Sequence, residues 1–353
     1  SAVYAYGKYA DSMFFVKRHL MYLFSGLIAA VLCMSVNSRF IRDNARYIML
    51  ISIILLVIVL IPGIGRQVGG ARRWLRFAGI GFQPSELAKL FLIIYLADFT
   101  YRKRYMIHRV KFGFMPPLAV TGLTGGLVLL EPDMGTFVSI ALIGFLILFV
   151  AGARLKHMAV IGACMLPGLV LAVLCAPYRM KRILAFCDPW KDARGAGFQL
   201  IQSFIALGSG GLFGVGLGSS KQKLFYLPES HTDFIFSIIG EELGFVGAAS
   251  VLILFAVMIW FSFRISFKIR DLFMSRVVFG IAVMIAFEVI VNIGVSTGFL
   301  PTKGLPLPFI SYGGTSIIVH LAAMGMLFNM AREAEYDEND KGAALQNGGF
   351  GIH

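Results

Sequence analysis

A short polar segment of the chain combines residue types that could carry acid–base chemistry. Glu229, His231, Thr232 and Asp233 lie within five consecutive positions, directly before an apolar run that continues to residue 263. A run of this length and character predicts a membrane-spanning helix. Ionisable groups at or inside a bilayer are costly and usually functional, so Asp233 is a candidate for chemistry at the membrane surface. The alternative is that Asp233 only caps the helix that follows it.

The composition predicts the class of protein in which this segment lies. Apolar residues make up 58% of the 353-residue chain and charged residues 14%, and the mean hydropathy is +0.79. These values are far outside the range of soluble proteins and predict an all-α polytopic membrane protein. Nine apolar windows indicate spans: 20–36, 47–61, 83–99, 114–130, 136–151, 158–176, 233–263, 277–299 and 311–330.

The order of the spans predicts the organisation of the chain. We expect one membrane domain over residues 1–353, with a large extracytoplasmic loop at 177–232 and a cytoplasmic tail at 331–353. Since the chain starts without Met, a tenth span is expected upstream. Lys and Arg are frequent in alternate short loops, which places the C-terminus inside and Asp233 outside.

The outer side predicted in this way carries a second concentration of positive charge. Arg73 belongs to a group of four arginines between residues 64 and 82, and seven more Lys or Arg residues lie in the loop 177–232. Such a face suits a phosphate or pyrophosphate headgroup, although attraction to ordinary anionic lipid is an alternative. The net charge of +13 is spread over both faces and no RNA-binding signature is present, so no nucleic-acid partner is expected.

Other polar residues lie close to the membrane or inside it. Glu86 and Lys89, three residues apart in one span, form either a helix-packing ion pair or part of a headgroup cavity. Glu131 and Asp133 belong either to the same cavity or only to a turn. The glycine-rich segment 208–218 and the proline-rich segment around Lys303 are expected to frame a cleft around Asp233. Further candidates for this cleft are Ser311 and Tyr312.

Five motifs spread along the chain resemble the SEDS family, the shape, elongation, division and sporulation group. They are GARRW at 70–74, QPSELAK at 83–89, PDMGT at 132–136, HTDF at 231–234 and ISYGG at 310–314. Together they cover nearly the whole chain and are highly specific. The segments QKLFYLPE at 222–229 and IIGEELG at 238–244 favour the division branch of the family.

The resemblance implies a peptidoglycan glycosyltransferase with ten spans that polymerises lipid II on the outer face of the bacterial cytoplasmic membrane, at the division septum. Asp233 matches the family's essential acid, which implies a general base. Substrate binding is expected at Arg73, Glu86, Lys89, Glu229, His231, Thr232, Lys303, Ser311 and Tyr312. A divalent cation, Mg or Mn, is an expected cofactor. A lipid II flippase and a non-catalytic scaffold of the division machinery are the alternatives.

The resemblance also implies partners. The expected partner is a class B penicillin-binding protein with transpeptidase activity, together with other membrane proteins of the divisome. The basic loop 177–232 is a candidate docking surface. The small residues Gly280, Ala282, Ala286 and Gly294 of one span allow close packing either against a partner helix or inside the chain.

Overall fold

The computed structural model describes residues 13–68, 70–77, 80–223, 227 and 231–348, so Glu229 lies outside the described residues. The protein is 73% helical, and every predicted span falls on a helix. The helices are α1 (Phe14–Ser35), α2 (Ser38–Asp43), α3 (Ala45–Leu60), α4 (Pro84–Arg102), α5 (Met115–Leu130), α6 (Met134–Val150), α7 (Leu155–Leu174), α8 (Pro177–Cys187), α9 (Phe198–Ser209), α10 (Ile235–Lys268), α11 (Leu272–Ser296) and α12 (Gly314–Gly348). A π-helical turn, Val110–Phe114, leads into α5, and a 3-10 turn, Pro189–Asp192, follows α8.

The helices differ in how well they meet the requirements of a membrane span. By length and composition, five segments of the described chain are long and apolar enough: Phe15–Ser35, Val110–Leu130, Ile235–Lys268, Leu272–Ser296 and Gly314–Tyr336. Helices α3 and α6 are apolar but have only 16 and 17 residues. Helix α4 carries buried Glu86, Lys89 and Asp98. Short or charged spans of this kind are tolerated where neighbouring helices cover them, and the predicted all-α polytopic architecture is confirmed.

Helix α11 lies at the centre of the core and packs against α4, α6, α10 and α12. A Cβ atom at Gly280 would lie 2.5 Å from Ile93 Cγ2 and 3.0 Å from Ile147 Cδ1. Ala282 is also fully buried. Gly280 therefore lets α4 and α6 approach α11, and at these two buried positions the internal-packing alternative holds rather than a surface for a partner helix.

A three-stranded antiparallel sheet occupies the arginine-rich region that the sequence analysis treated as a loop. Its strands are β1 (Arg66–Val68), β2 (Ala71–Phe77) and β3 (Ile80–Phe82), in the order β1-β2-β3. Directly after β3, the backbone N–H of Gln83 donates to Thr315 Oγ1 at 3.0 Å. This contact ties the sheet to the start of α12, so β2 presents Arg73 from a fixed position.

Helix α10 is broken at Gly244, whose φ is 67°. The glycine-rich segment 208–218 fills the break with four backbone hydrogen bonds: Val215 to Glu241, Gly216 to Glu242, Phe245 to Gly211 and Val246 to Leu212. A Cβ atom at Gly214 would collide with the Glu242 carbonyl oxygen, so glycine is required there. The segment therefore packs against the backbone of α10, whose interrupted hydrogen bonds it satisfies, and its expected place beside a cleft around Asp233 stays a prediction.

Two carboxylates just before the break hold the part of the chain that directly follows this segment. Glu241 accepts hydrogen bonds from Ser220 Oγ and, at 2.9 Å, from the backbone N–H of Lys221. Lys223 Nζ lies 2.5 Å from Glu242 Oε1. These contacts pair the two charges of this long apolar run and fix the chain a few residues before the His231–Asp233 segment.

Candidate active site

Asp233 lies at the outer end of α10 according to the predicted topology. The helix begins at Ile235 and its N-cap position is Phe234, so Asp233 is one residue outside the cap. A Cβ atom at Gly304 would lie 2.6 Å from Asp233 Oδ2. Only glycine therefore lets the 303–305 backbone approach the carboxylate this closely. The loop before α12 and the loop before α10 meet at this carboxylate, as the sequence predicted.

Ser311 and Tyr312 hold the rest of the motif through its backbone. Ser311 Oγ donates to the Thr232 carbonyl oxygen at 2.6 Å, and the backbone N–H of Tyr312 donates to the His231 carbonyl oxygen at 2.8 Å. Ser311 is 1% exposed and also accepts a hydrogen bond from the backbone N–H of Leu307. These contacts give Ser311 a positioning role, while its predicted contact with substrate stays a prediction.

Aromatic side chains of α1 cover this motif. The ring of Phe15 lies 5.3 Å from the His231 ring and 5.1 Å from the Tyr312 ring, between centroids. The His19 ring stacks on Tyr312 at 6.3 Å. The imidazole of His231 is therefore packed against a helix that the sequence analysis did not connect with the site.

Arg73 contacts the turn between α5 and α6 through its guanidinium group. Its Nε donates to the Glu131 carbonyl oxygen at 3.0 Å, and its Nη2 donates to the Pro132 carbonyl oxygen at 2.6 Å. Its Nη1 lies 3.5 Å from Asp133 Oδ2. The other oxygen of Asp133 accepts from the backbone N–H of Thr136 at 3.1 Å and so caps α6. Asp133 thus performs the turn role that was one of its two interpretations.

This turn packs against the loop that touches Asp233. A Cβ atom at Gly135 would lie 3.1 Å from Leu305 Cγ. Burial lowers the pKa of Lys303, and the nearby Asp133 carboxylate partly offsets that effect. Lys303, Gly304 and Leu305 therefore lie between the acidic groups of Asp133 and Asp233.

Further cations face the same loop. Arg182 Nη1 donates to the Thr302 carbonyl oxygen at 3.2 Å, and Arg179 is close enough to Lys303 to contribute to the lowering of its pKa. Four cations from a strand, a helix and a loop thus lie around the 302–305 loop and the 131–133 turn that packs against it: Arg73, Arg179, Arg182 and Lys303. Such a group favours an anionic ligand.

Glu131 differs from its acidic neighbours. It is fully buried at the C-terminal end of α5, and neither carboxyl oxygen has a hydrogen-bond partner in the described part of the chain. Burial, followed by the charge of Asp133, raises the pKa of Glu131 to about 8, against the opposing effect of Arg73. The group is therefore largely protonated at neutral pH.

Glu86 and Lys89 belong to a separate, fully buried network. Lys89 Nζ lies 3.0 Å from Glu86 Oε1 and makes a second, shorter ion pair with Glu288 of α11. Glu288 Oε2 lies 2.7 Å from His320 Nε2 on α12. The four side chains are at most 3% exposed. The network therefore joins three helices, which is the helix-packing alternative, and a direct role of Glu86 and Lys89 in headgroup binding stays a prediction.

The hydrogen-bond geometry assigns the charges in this network. His320 Nδ1 lies 2.6 Å from the Ser316 carbonyl oxygen, which can only accept, so this nitrogen carries a proton. Nε2 lies 2.7 Å from Glu288 Oε2, and the two groups form an ion pair when the ring carries a second proton. Two cations and two carboxylates then balance, as expected for ionisable groups buried away from water.

The described residues do not assemble a metal site by themselves. No three His, Cys, Asp or Glu side chains converge among them. The predicted Mg or Mn ion therefore stays a prediction. The carboxylates nearest the four cations Arg73, Arg179, Arg182 and Lys303 are those of Asp133 and Asp233. All four cysteines of the chain are free.

Sequence reasoning missed Glu288, Asn292 and His320. Glu288 stands inside a predicted span, and an intramembrane charge is a recognised signal of a partner or a function. Asn292 follows it by four residues, which places both on one face of a helix. His320 gave no such signal, because its partner lies 32 positions earlier in the chain and only the packing of α12 on α11 brings them together.

Comparisons with known proteins agree with this architecture. Stage V sporulation protein E of Bacillus subtilis strain 168 is 45% identical over 336 residues, which cover 95% of this chain and 92% of that protein. A probable peptidoglycan glycosyltransferase FtsW of Geobacter sp. strain M18 is 42% identical over 331 residues, covering 94% and 90%.

Solved structures give the same result in three dimensions. One similar chain comes from a solved structure that describes the structural coordination of polymerization and crosslinking by a peptidoglycan synthase complex. It is 33% identical, has a TM-score of 0.76, and the match covers 94% of both chains. The rod shape determining protein RodA of Thermus thermophilus is 31% identical, with a TM-score of 0.69, covering 94% of this chain and 92% of that one. The family model described as cell cycle protein matches residues 1–336. This polytopic chain belongs to the FtsW/RodA/SpoVE family of cell cycle proteins.

Proposed function

We propose that this chain is a peptidoglycan glycosyltransferase that polymerises lipid II into glycan strands. The relatives named FtsW support the activity and the reaction class. The observation in the structure that carries the proposal is the placement of the Asp233 carboxylate against Gly304, in a loop cluster that also holds Lys303 and, through the α5–α6 turn, Arg73. One carboxylate beside several cations suits transfer of a sugar from a pyrophosphate carrier.

The residues divide the chemical work between them. Asp233 accepts the proton of an acceptor sugar hydroxyl as the hydroxyl oxygen forms the new glycosidic bond. The bond between the donor sugar and the pyrophosphate breaks in the same reaction, and the electron pair leaves with undecaprenyl pyrophosphate. Arg73 and Lys303 stabilise the negative charge of this leaving group. A glycosidase would instead need two carboxylates that face water across the sugar bond.

A divalent cation fits this scheme as part of the substrate complex. Mg²⁺ is often held by one or two carboxylates together with substrate phosphates, so a preformed cage of side chains is not needed. Asp133 and Asp233 are the residues that would hold it, and it would supply positive charge to the pyrophosphate.

The proposal extends to location and partners. We place the enzyme in the bacterial cytoplasmic membrane at the division septum, because several relatives at 41–44% identity are named FtsW. The peptidoglycan synthase complex among its structural relatives supports a class B penicillin-binding protein as partner. Other divisome membrane proteins complete the proposed assembly. The rival functions are a lipid II flippase and a scaffold without activity.

The decisive experiment compares Asp233→Asn with wild type in purified, reconstituted form, using fluorescent lipid II. The Asn variant keeps the shape of the side chain and removes its basicity, so polymer formation should fall about 10²–10⁴-fold. The control is Asp188→Asn, because Asp188 is an exposed acid of the same predicted outer loop. Polymer formation by Asp233→Asn at the wild-type rate overturns the assignment of the base. Movement of lipid II between leaflets without polymer in the wild type favours the flippase, and neither activity favours the scaffold.

A further inference from the structure

Asn292 connects the two loops that meet at Asp233. Its side-chain Nδ2 donates to the Asp233 carbonyl oxygen at 3.0 Å and to the Leu305 carbonyl oxygen at 2.8 Å. Leu305 directly follows Gly304, whose Cα faces the Asp233 carboxylate. The amide of Asn292 therefore closes a ring of contacts that runs from the backbone of Asp233 through its side chain, Gly304 and Leu305.

The chemistry of this contact is specific to a primary amide. Both acceptors are carbonyl oxygens, so the side chain must supply two N–H donors, which assigns the orientation of the amide. Asn292 is fully buried, and its Oδ1 has no hydrogen-bond partner among the described residues. A buried acceptor without a partner is energetically unfavourable. The position thus retains an amide despite a cost that an apolar side chain of the same size would avoid.

The helix that carries Asn292 is held on both sides of this position. Glu288, one turn earlier on the same face of α11, is in the buried network with Lys89 and His320. One turn later, the Ser296 carbonyl oxygen accepts from Ser203 Oγ of α9 at 2.7 Å. Asn292 is therefore presented toward the two loops from a helix that is held on both sides of it.

We propose that Asn292 is a positioning residue that sets the place of the Asp233 carboxylate relative to the 303–305 loop. The inference rests on the proposed role of Asp233 as base and deepens it. Asn292 does not contact substrate in this scheme. It acts through the backbone of Asp233, so its loss should reduce turnover rather than substrate affinity.

The test uses the full chain, reconstituted with fluorescent lipid II, and measures kcat and KM separately. Asn292→Leu keeps the side-chain size and removes both donors. A misplacement of about 1 Å can cost about 10²-fold in rate, so kcat should fall by about that factor while KM stays within about threefold. Asn292→Ser retains one donor and should give an intermediate kcat.

A second buried asparagine supplies the matched control. Asn329 is 1% exposed and donates from Nδ2 to the Val36 carbonyl oxygen at 2.6 Å, on α12 and away from the Asp233 loops. Asn329→Leu should lower the midpoint of thermal unfolding about as much as Asn292→Leu and should leave kcat of the folded protein unchanged.

The outcomes separate this proposal from the one on which it rests. If Asp233→Asn is inactive while Asn292→Leu keeps its kcat, the positioning role is wrong and the base assignment stands. A change in KM alone, or an equal loss of kcat in Asn329→Leu, also overturns the positioning role. If Asn292→Leu does not fold, Asn292→Ser decides, and a wild-type kcat for that variant refutes the proposal. If Asp233→Asn is fully active, both proposals fall.

Discussion

Two clusters in this protein each combine acidic and basic side chains and differ in what surrounds them. The inner cluster consists of Glu86, Lys89, Glu288 and His320, and each of its side chains is at most 3% exposed. The outer cluster consists of Arg73, Asp133, Lys303 and Asp233, and the buried, protonated Glu131 adjoins it. In the outer cluster the side chain of Arg73 is 30% exposed, and loops rather than helices supply most of the members.

The difference separates charges that hold helices together from charges that are available for chemistry. In the inner cluster, two cations and two carboxylates balance one another between three helices. The outer cluster lies where loops meet, and Arg179 and Arg182 bring additional positive charge to it. A charged substrate can be bound by the outer cluster, whereas opening the inner cluster would require the separation of packed helices. Substitutions in the inner cluster should therefore affect folding first, and those in the outer cluster should affect activity first.

The largest expected effect comes from Lys89→Met. The substitution leaves Glu86 and Glu288 buried without their shared cation, which should cost about 3–5 kcal/mol of unfolding free energy. The measurement is the yield of folded protein and its unfolding midpoint in detergent. Lys191→Met is the control, because the side chain of Lys191 is 84% exposed and should contribute little.

A double variant tests the same interpretation. Lys89→Met combined with Glu288→Gln removes one charge of each sign, so part of the lost stability should return. A Lys89→Met protein that unfolds like wild type but no longer uses lipid II would contradict the structural role of the inner cluster. It would place Lys89 in substrate binding, as the sequence analysis predicted.

Arg73→Lys, in contrast to Lys89→Met, should lower activity and change stability little. Lysine keeps the charge but cannot reproduce the three contacts that the guanidinium makes with the 131–133 turn. Lysine also cannot bind the leaving pyrophosphate in a fork, and loss of one charge-assisted hydrogen bond of about 1.5–3 kcal/mol to it should lower kcat/KM about tenfold or more. The unfolding midpoint should change little, because Arg73 is partly exposed. Arg76→Lys, on the same strand, is the control, and equal effects of the two substitutions on kcat/KM would refute a special role for Arg73.

The effect of Glu131→Gln should depend on pH and should be smallest at acid pH. The pKa of Glu131 is raised to about 8 in the folded protein from an ordinary value of 4.5. Between these values the unfolded chain has released the proton and the folded protein retains it, so stability falls as pH rises through this window. Above about pH 8 both states are ionised and the fall ends.

The Gln variant lacks this titration. Its unfolding midpoint should therefore exceed that of wild type at neutral pH, and the difference should disappear toward about pH 4.5. The exposed Glu335→Gln supplies the control. Parallel pH profiles for wild type and Glu131→Gln would show that the carboxyl is not protonated in the folded state.

The sequence predicted the helices because each span needs only its own apolar residues. It also predicted the meeting of the Asp233 segment with the loop around Lys303, since both are irregular segments between spans on one side. The sheet at 66–82 was missed because its strands are short, rich in Arg and Gly, and paired only with one another. These features are typical of a loop in a sequence.

The inner cluster could not be separated from the outer one by sequence alone. Glu86 and Lys89 are three residues apart and visible as a pair, but Glu288 lies 199 positions after Lys89. The third and fourth members become evident only when α11 and α12 pack against α4. For the same reason Asn292 was not recognised, because its two acceptors belong to the loop before α10 and the loop after α11.

The break in α10 has a practical consequence for anyone who wishes to label or tag this protein. Residues 208–218, with their six glycines, look like a flexible linker, the usual choice for an inserted epitope or a fluorophore. The segment is instead a rigid joint, because its backbone pairs with α10 and a side chain at Gly214 would collide with the Glu242 carbonyl oxygen. An insertion there would force the halves of α10 apart. Lys191, whose side chain is 84% exposed, is the safer attachment point.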